Sequence, residues 1–246
     1  MDPDGRGGYR GWSQRLAERI GAAQGTLLYA NLAVRGRTTR EIRAQQLERA
    51  LALSPDLATV FSGTNDVLRP RFDVAAFADD VRAMHNALRA DGATVLTFTL
   101  PDLTPLLPLA RLIAPRIRAM NEVLRAVCAE TGTLLVDFAA HPVTTDARLW
   151  NDDRIHANAQ GHARIADALA DALQLSGSDD AWREPLPLAP RASLAARVTR
   201  ESRWVARYLL PWCWQGVFAR TSSKWSPGKR PELTPVRGGF TGSTED

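Results

Sequence analysis

The chain has 246 residues, 45% of them hydrophobic and 24% charged, a balance that excludes collagen, coiled coil and wholesale disorder and suits one globular domain with an appendage. Its formal net charge of +4 is unevenly placed: residues 1–181 carry 20 Arg against 22 acidic residues, and residues 182–246 carry 11 basic against 5 acidic ones. The basic surplus therefore belongs to the tail, and the body lacks the positive surface that nucleic acid requires.

In chain order, Trp12–Gly21 shows apolar residues at three- and four-residue spacing and reads as a helix, followed by a short aliphatic strand at Thr26–Asn31. A second helix at Thr39–Leu53 is opened by Thr38 or Thr39 with Glu41 as a capping partner, and Leu57–Ser62 reads as the next strand. Helix Val74–Ala90 closes at Asp91-Gly92, strand Thr94–Thr99 comes next, and helix Ile113–Glu130 closes at Thr131-Gly132. Strand Thr133–Asp137 and helix Ala159–Leu173 complete the body. Strands alternating with helices in this order imply parallel βαβ units, an α/β class with helices on both faces of the sheet.

After Leu175 the texture changes. Ser176–Asp180 reads as a linker, and Glu184–Pro190 carries too many prolines for a continuous helix. Residues 1–175 are thus expected to form the domain, and 176–246 a basic Pro/Arg/Trp-containing extension that is partly disordered. Within it Leu194–Leu210 reads as a basic helix, Trp212-Cys213-Trp214 as an apolar cluster and Thr221–Asp246 as disordered, and the whole extension beyond residue 176 is expected to be accessory and dispensable for ester hydrolysis. Cys128 and Cys213 have no C-x-x-C spacing, so neither a zinc site nor a disulfide scaffold is expected. No apolar run reaches the roughly 18–20 residues of a membrane span, and Met1–Gly5 lacks the basic and apolar regions of a signal peptide; the expected location is cytoplasmic.

In a parallel sheet the ligand crevice lies at the carboxyl ends of the strands. The residues found there are Asn31–Gly36, Gly63-Thr64-Asn65-Asp66 and, after the fourth strand, Asn151–Asn158 with Asp153-x-x-His156. A glycine permits close backbone approach, an asparagine supplies an amide donor, and a carboxylate three residues from an imidazole serves proton transfer.

This ordered set resembles the SGNH hydrolases, the GDSL-type esterases and lipases, over about residues 7–173. The resemblance implies a flavodoxin-like three-layer α/β/α fold with a parallel sheet. It also implies hydrolysis of carboxylic acyl esters, with a small-molecule ester as substrate and neither metal nor cofactor. It gives Gly36 and Asn65 to the oxyanion hole, His156 to the general base and Asp153 to the orienting carboxylate.

The family's first block, Gly-Asp-Ser, is absent from this chain, and with it the nucleophile and the strand that precedes it. Gly8–Trp12 resembles the segment immediately after that block, so the fold is expected to lack its first strand, and the natural start to lie upstream of Met1. Ser13 reads as a surface residue of the first helix, Ser54 as a turn residue, Ser62 as part of a strand and Cys128 as core; none replaces the missing serine. His85 is expected on an exposed helix face. Two rivals stand beside the hydrolase: a catalytically inactive binding relative, and a nucleotide-binding domain, the latter opposed by the lack of any phosphate-binding glycine loop. The basic tail offers a weak contact with an anionic surface.

Overall fold

A computed structural model describes residues 10–188, 193–211 and 228–237 of the chain. The helices are α1 (Trp12–Gln24), α2 (Thr39–Leu51), α3 (Val74–Ala90), α4 (Ala114–Thr131), α5 (Ala159–Ala172) and α6 (Leu194–Trp204). The strands are β1 (Thr26–Asn31), β2 (Leu57–Thr59), β3 (Thr94–Phe98), β4 (Leu134–Val136) and β5 (Arg230–Arg237).

Local chemistry sets the boundaries. Thr38 opens α2 with a full capping box, its hydroxyl accepting the Glu41 N–H while the Glu41 carboxylate accepts the Thr38 N–H at 2.8 Å. Asp73 and Asn158 cap α3 and α5 through their side chains. Gly132, at φ 67°, closes α4 in the left-handed conformation that a side chain disfavours.

β2, β3 and β4 form a parallel sheet in that order, with β3 in the middle. Adjacent residues of β3 look to opposite faces. Val95 packs with Leu88 and Ala93 against Leu47 and Leu51, toward α2 and α3, whereas Leu96 and Phe98 join Leu16, Ile20 and Leu169 on the α1 and α5 side. Three layers result, as the α/β class requires, with a satellite core of Val67, Phe77, Val81, Met120 and Leu124 between α3 and α4.

The parallel order expected of all four body strands stops at β2. β1 pairs instead with β5, antiparallel, from Thr26 opposite Arg237 to Asn31 opposite Arg230. Leu27 of β1 and Leu57 of β2 still pack against one core cluster, so the sheet is interrupted between two strands that share a core. The middle strand β3 is buried from Val95 to Phe98, while the edge strands are more open: Leu57 and Ala58 of β2 are half-buried and Thr59 exposed, and Leu134 of β4 is exposed.

The extension also departs from expectation. Trp182 is buried against the body, edge-on to Phe138 and His141, and its indole N–H donates to Asp171 at 3.0 Å. The disorder expected of Thr221–Asp246 is corrected at Arg230–Arg237, where pairing with β1 organises a strand; residues 221–227 and 238–246 lie outside the described residues. So do Met1–Tyr9 and the Trp212-Cys213-Trp214 cluster. No helix among the described residues is long and apolar enough to cross a membrane.

His85 requires a second correction. It is fully buried on α3, with Nδ1 3.2 Å from the Thr133 hydroxyl and Nε2 without a hydrogen bond. α3 is flanked by α2 and α4 as well as the sheet, so more than one stripe of it is covered. Burial pushes the His85 ring down to about 4, which keeps it neutral at physiological pH.

Candidate active site

Each expected site residue lies beyond the carboxyl end of a strand. Past β2, the chain turns at Gly63, whose φ of 102° and close packing against Met120 and Phe77 leave no room for a side chain. This turn presents Asn65, half-buried, and Asp66. The Asn65 amide donates to the backbone carbonyl of Arg37 at 3.0 Å, next to Gly36, which is exposed at φ 78°. The two expected oxyanion donors are therefore neighbours. A carboxamide nitrogen carries two N–H bonds, so one remains for a ligand. Asp66 accepts from both the backbone N–H and the hydroxyl of Thr39, at 3.0 Å each, which fastens this loop to the start of α2.

The second pair stands in the turn before α5. His156 Nδ1 lies 2.8 Å from Asp153 Oδ2, and Asp153 Oδ1 accepts the backbone N–H groups of Ile155 and His156 at 3.0 Å each. Burial pushes the Asp153 carboxyl up, but the His156 hydrogen bond and the two backbone donors outweigh it and hold the group at about 2. An ionised carboxylate only accepts hydrogen bonds, so the neutral His156 ring carries its proton on Nδ1 and leaves the Nε2 lone pair free. The imidazole is 58% exposed, open to a reacting group.

The surrounding loop is rigidly made. Asn151 and Asn158 bind backbone carbonyls on either side of the turn, the Trp150 indole donates to Thr144, and Gly161 lets α5 approach Leu149 more closely than any side chain permits. No hydrogen bond joins the Asn65 pair to the Asp153 pair among the described residues.

None of Ser13, Ser62, Ser54 and Cys128 substitutes for the missing block. Ser13 is half-buried rather than on the surface, its oxygen accepting from Tyr29 at 2.9 Å and Asn31 at 3.3 Å, with no imidazole in either contact. Ser62 is buried beyond the end of β2, and Ser54 occupies a turn at φ 45°. Cys128 is buried, and burial pushes its thiol up to about 12, far from a working thiolate.

Sequence reasoning missed three contributors. Asp66 was legible only as a turn residue, because its partner Thr39 lies 27 positions away. Arg154 and Tyr208 belong to a contact between the Asp153 turn and the extension: Tyr208 lines, with Trp150, Asn151, Asp152, Asp153 and Asn158, a pocket of about 400 Å³. No three-residue cluster suited to a metal ion occurs among the described residues.

Comparison with known proteins agrees with this fold. The family model described as GDSL-like Lipase/Acylhydrolase family matches residues 2–164. Among solved structures, the acetylxylan esterase Axe2 from Geobacillus stearothermophilus is 18% identical, with a TM-score of 0.54 over 70% of this chain and 84% of that one. The psychrotrophic esterase EstA from Pseudoalteromonas sp. is 19% identical, with a TM-score of 0.54 over 67% of this chain and 86% of that one. At such identities the likeness is one of fold. No curated protein sequence matches.

Proposed function

Because the chain belongs to the GDSL-like lipase/acylhydrolase family, we propose that its site is built for hydrolysis of carboxylic acyl esters. The observation that carries this reading is the Asp153–His156 pair, 2.8 Å apart, with the ring oriented and its outer nitrogen free. In the cycle, His156 Nε2 takes the proton of a serine hydroxyl as its oxygen attacks the ester carbonyl. The tetrahedral oxyanion is met by the Gly36 N–H and the second N–H of Asn65. Collapse expels the alcohol, which receives the proton back from His156, and water then repeats the sequence on the acyl-enzyme. Asp153 stabilises the imidazolium formed at each step.

The serine and a further oxyanion N–H would come from a Gly-Asp-Ser segment preceding Met1, on a strand lying between β1 and β2. The interruption of the sheet there supports that placement. Without that segment, Ser13, Ser54, Ser62 and Cys128 offer no nucleophile in its place, which favours the second reading, a cleft that binds esters without cleaving them.

Turnover of p-nitrophenyl acetate separates the two. The 246-residue chain should stay at the buffer rate. The chain extended through its upstream reading frame should hydrolyse the ester and lose that activity on His156→Ala. A stop codon directly upstream of Met1 would leave the binding reading, and His156-dependent turnover by the unextended chain would overturn the account of the missing nucleophile.

A further inference from the structure

Arg154 stands between Asp153 and His156 with its backbone at φ 62°, a left-handed conformation that costs a residue with a side chain and persists only where its surroundings hold it. Its guanidinium is held on three sides. Nη2 donates to Glu201 Oε1 at 2.7 Å and Nη1 to Glu201 Oε2 at 2.9 Å, a two-pronged charge-assisted pair. Nη1 also reaches the Leu106 carbonyl at 3.3 Å, and the guanidinium carbon lies 4.6 Å from the centre of the Trp204 ring. The Arg154 side chain is only 16% exposed, whereas its partner Glu201 is 52% exposed, so the ion pair sits at the edge of the solvent with the guanidinium on its inner side.

Glu201 and Trp204 are three residues apart and share one face of α6. Trp204 is buried, while the other described side chains of α6 are exposed, so the helix meets the body through this contact. One turn further on, where Val205–Leu209 winds as a π-helix, Tyr208 reaches the pocket beside Asp152 and Asp153. The extension thus touches the turn that carries the base, and touches it through the residue whose backbone is least able to hold itself.

We propose that α6 is a working part of the site, in which Glu201 and Trp204 are positioning residues that hold Arg154 and, through it, the Asp153–His156 turn. The proposal rests on the reading of His156 as the base. Its readout is independent of turnover, because the Asp153 contact dictates which ring nitrogen of His156 bears the proton. Releasing Arg154 lets the turn relax, weakens that contact and frees the ring to exchange tautomers.

Nitrogen-15 NMR of the His156 ring in the full chain, at a pH where the ring is neutral, tests this. Asp153→Ala should lose the Nδ1–H tautomer signal. Glu201→Ala and Trp204→Ala should move the signal the same way, Glu201→Arg should do so more strongly by repelling Arg154, and Trp204→Phe, which keeps an aromatic face, should retain it. Glu201→Ala leaves the buried Trp204 in place and serves where Trp204→Ala fails to fold. A wild-type tautomer signal in Glu201→Ala and Glu201→Arg, with Asp153→Ala shifted, would overturn the role of α6 and leave the Asp–His reading standing. A signal unchanged in Asp153→Ala would overturn both.

Discussion

Asp66 holds Thr39 by three hydrogen bonds: the backbone N–H donates to both carboxylate oxygens, at 3.0 and 3.2 Å, and the hydroxyl to one of them at 3.0 Å. Thr39 is fully buried and begins α2, close behind Gly36 in the chain. The carboxylate next to Asn65 thereby sets the position of the segment carrying Gly36, the other proposed oxyanion donor. Asp66→Ala should leave two buried donors unmet and cost about 1–3 kcal/mol of stability, read as a fall in melting temperature. In the nucleophile-bearing form kcat should drop more than KM rises. An unchanged kcat would separate Asp66 from the oxyanion loop.

Gly63→Ala should be more damaging. A Cβ there would lie 2.5 Å from Met120 Sδ and 3.0 Å from Phe77, at a backbone φ of 102°. Met120 is itself fully enclosed and has nowhere to retreat. The conformational and packing terms each cost about 1–3 kcal/mol. A double-mutant cycle checks the packing part: Met120→Ala should cost less in the Gly63→Ala background than in the wild type. Additive effects would contradict the contact.

The buried His85 predicts an acid weakness. The unfolded ring takes up its proton near 6.5 and the folded ring only near about 4, so between those values the unfolded state binds more protons and stability falls as pH falls. The loss should total about 3 kcal/mol. Urea unfolding at a series of pH values should show this slope in the wild type, while His85→Leu, which has no proton to gain, should lack it; above about pH 7 the difference between the two proteins should stop changing. Equal slopes for the two proteins would refute it.

Asp153 titrates in a different window. Its carboxyl is held at about 2, so its contribution is complete at neutral pH and is lost only as the pH falls from the ordinary carboxylate range through that value. A change in esterase rate between about pH 5 and 8 therefore does not come from Asp153. Asp153→Asn in the nucleophile-bearing form should lower kcat on the order of 10³–10⁴-fold at all those pH values, as the loss of an orienting carboxylate does in a Ser-His-Asp triad. A loss confined to one end of the range would point to a different role.

Local signals carried most of the body. The capping box at Thr38 and Glu41, the closing Gly132 and the Asp153–His156 hydrogen bond are all made within a few residues, and each stands in the structure where the spacing puts it. Contacts made at a distance were not legible. His85 reads as exposed because its cover comes from neighbouring helices and Thr133. Arg154 reads as one more loop arginine because Glu201 lies 47 positions on. Arg230–Arg237 contains Pro231 and Pro235, which argue against a strand in a sheet interior; only an edge position, where a missing N–H faces no partner strand, accommodates them.

That late edge strand also dictates an order of events at the ribosome. Thr234, whose hydroxyl donates to the Tyr29 carbonyl, is synthesised 205 residues after its partner. At ordinary elongation rates β1 waits on the order of tens of seconds for β5. Throughout that interval its outer rim of N–H and C=O groups is open to any other extended chain, including a second nascent copy. A chain released before residue 230 would never close this rim, and such fragments should be found in aggregates or on holdase chaperones, while the full-length product is not.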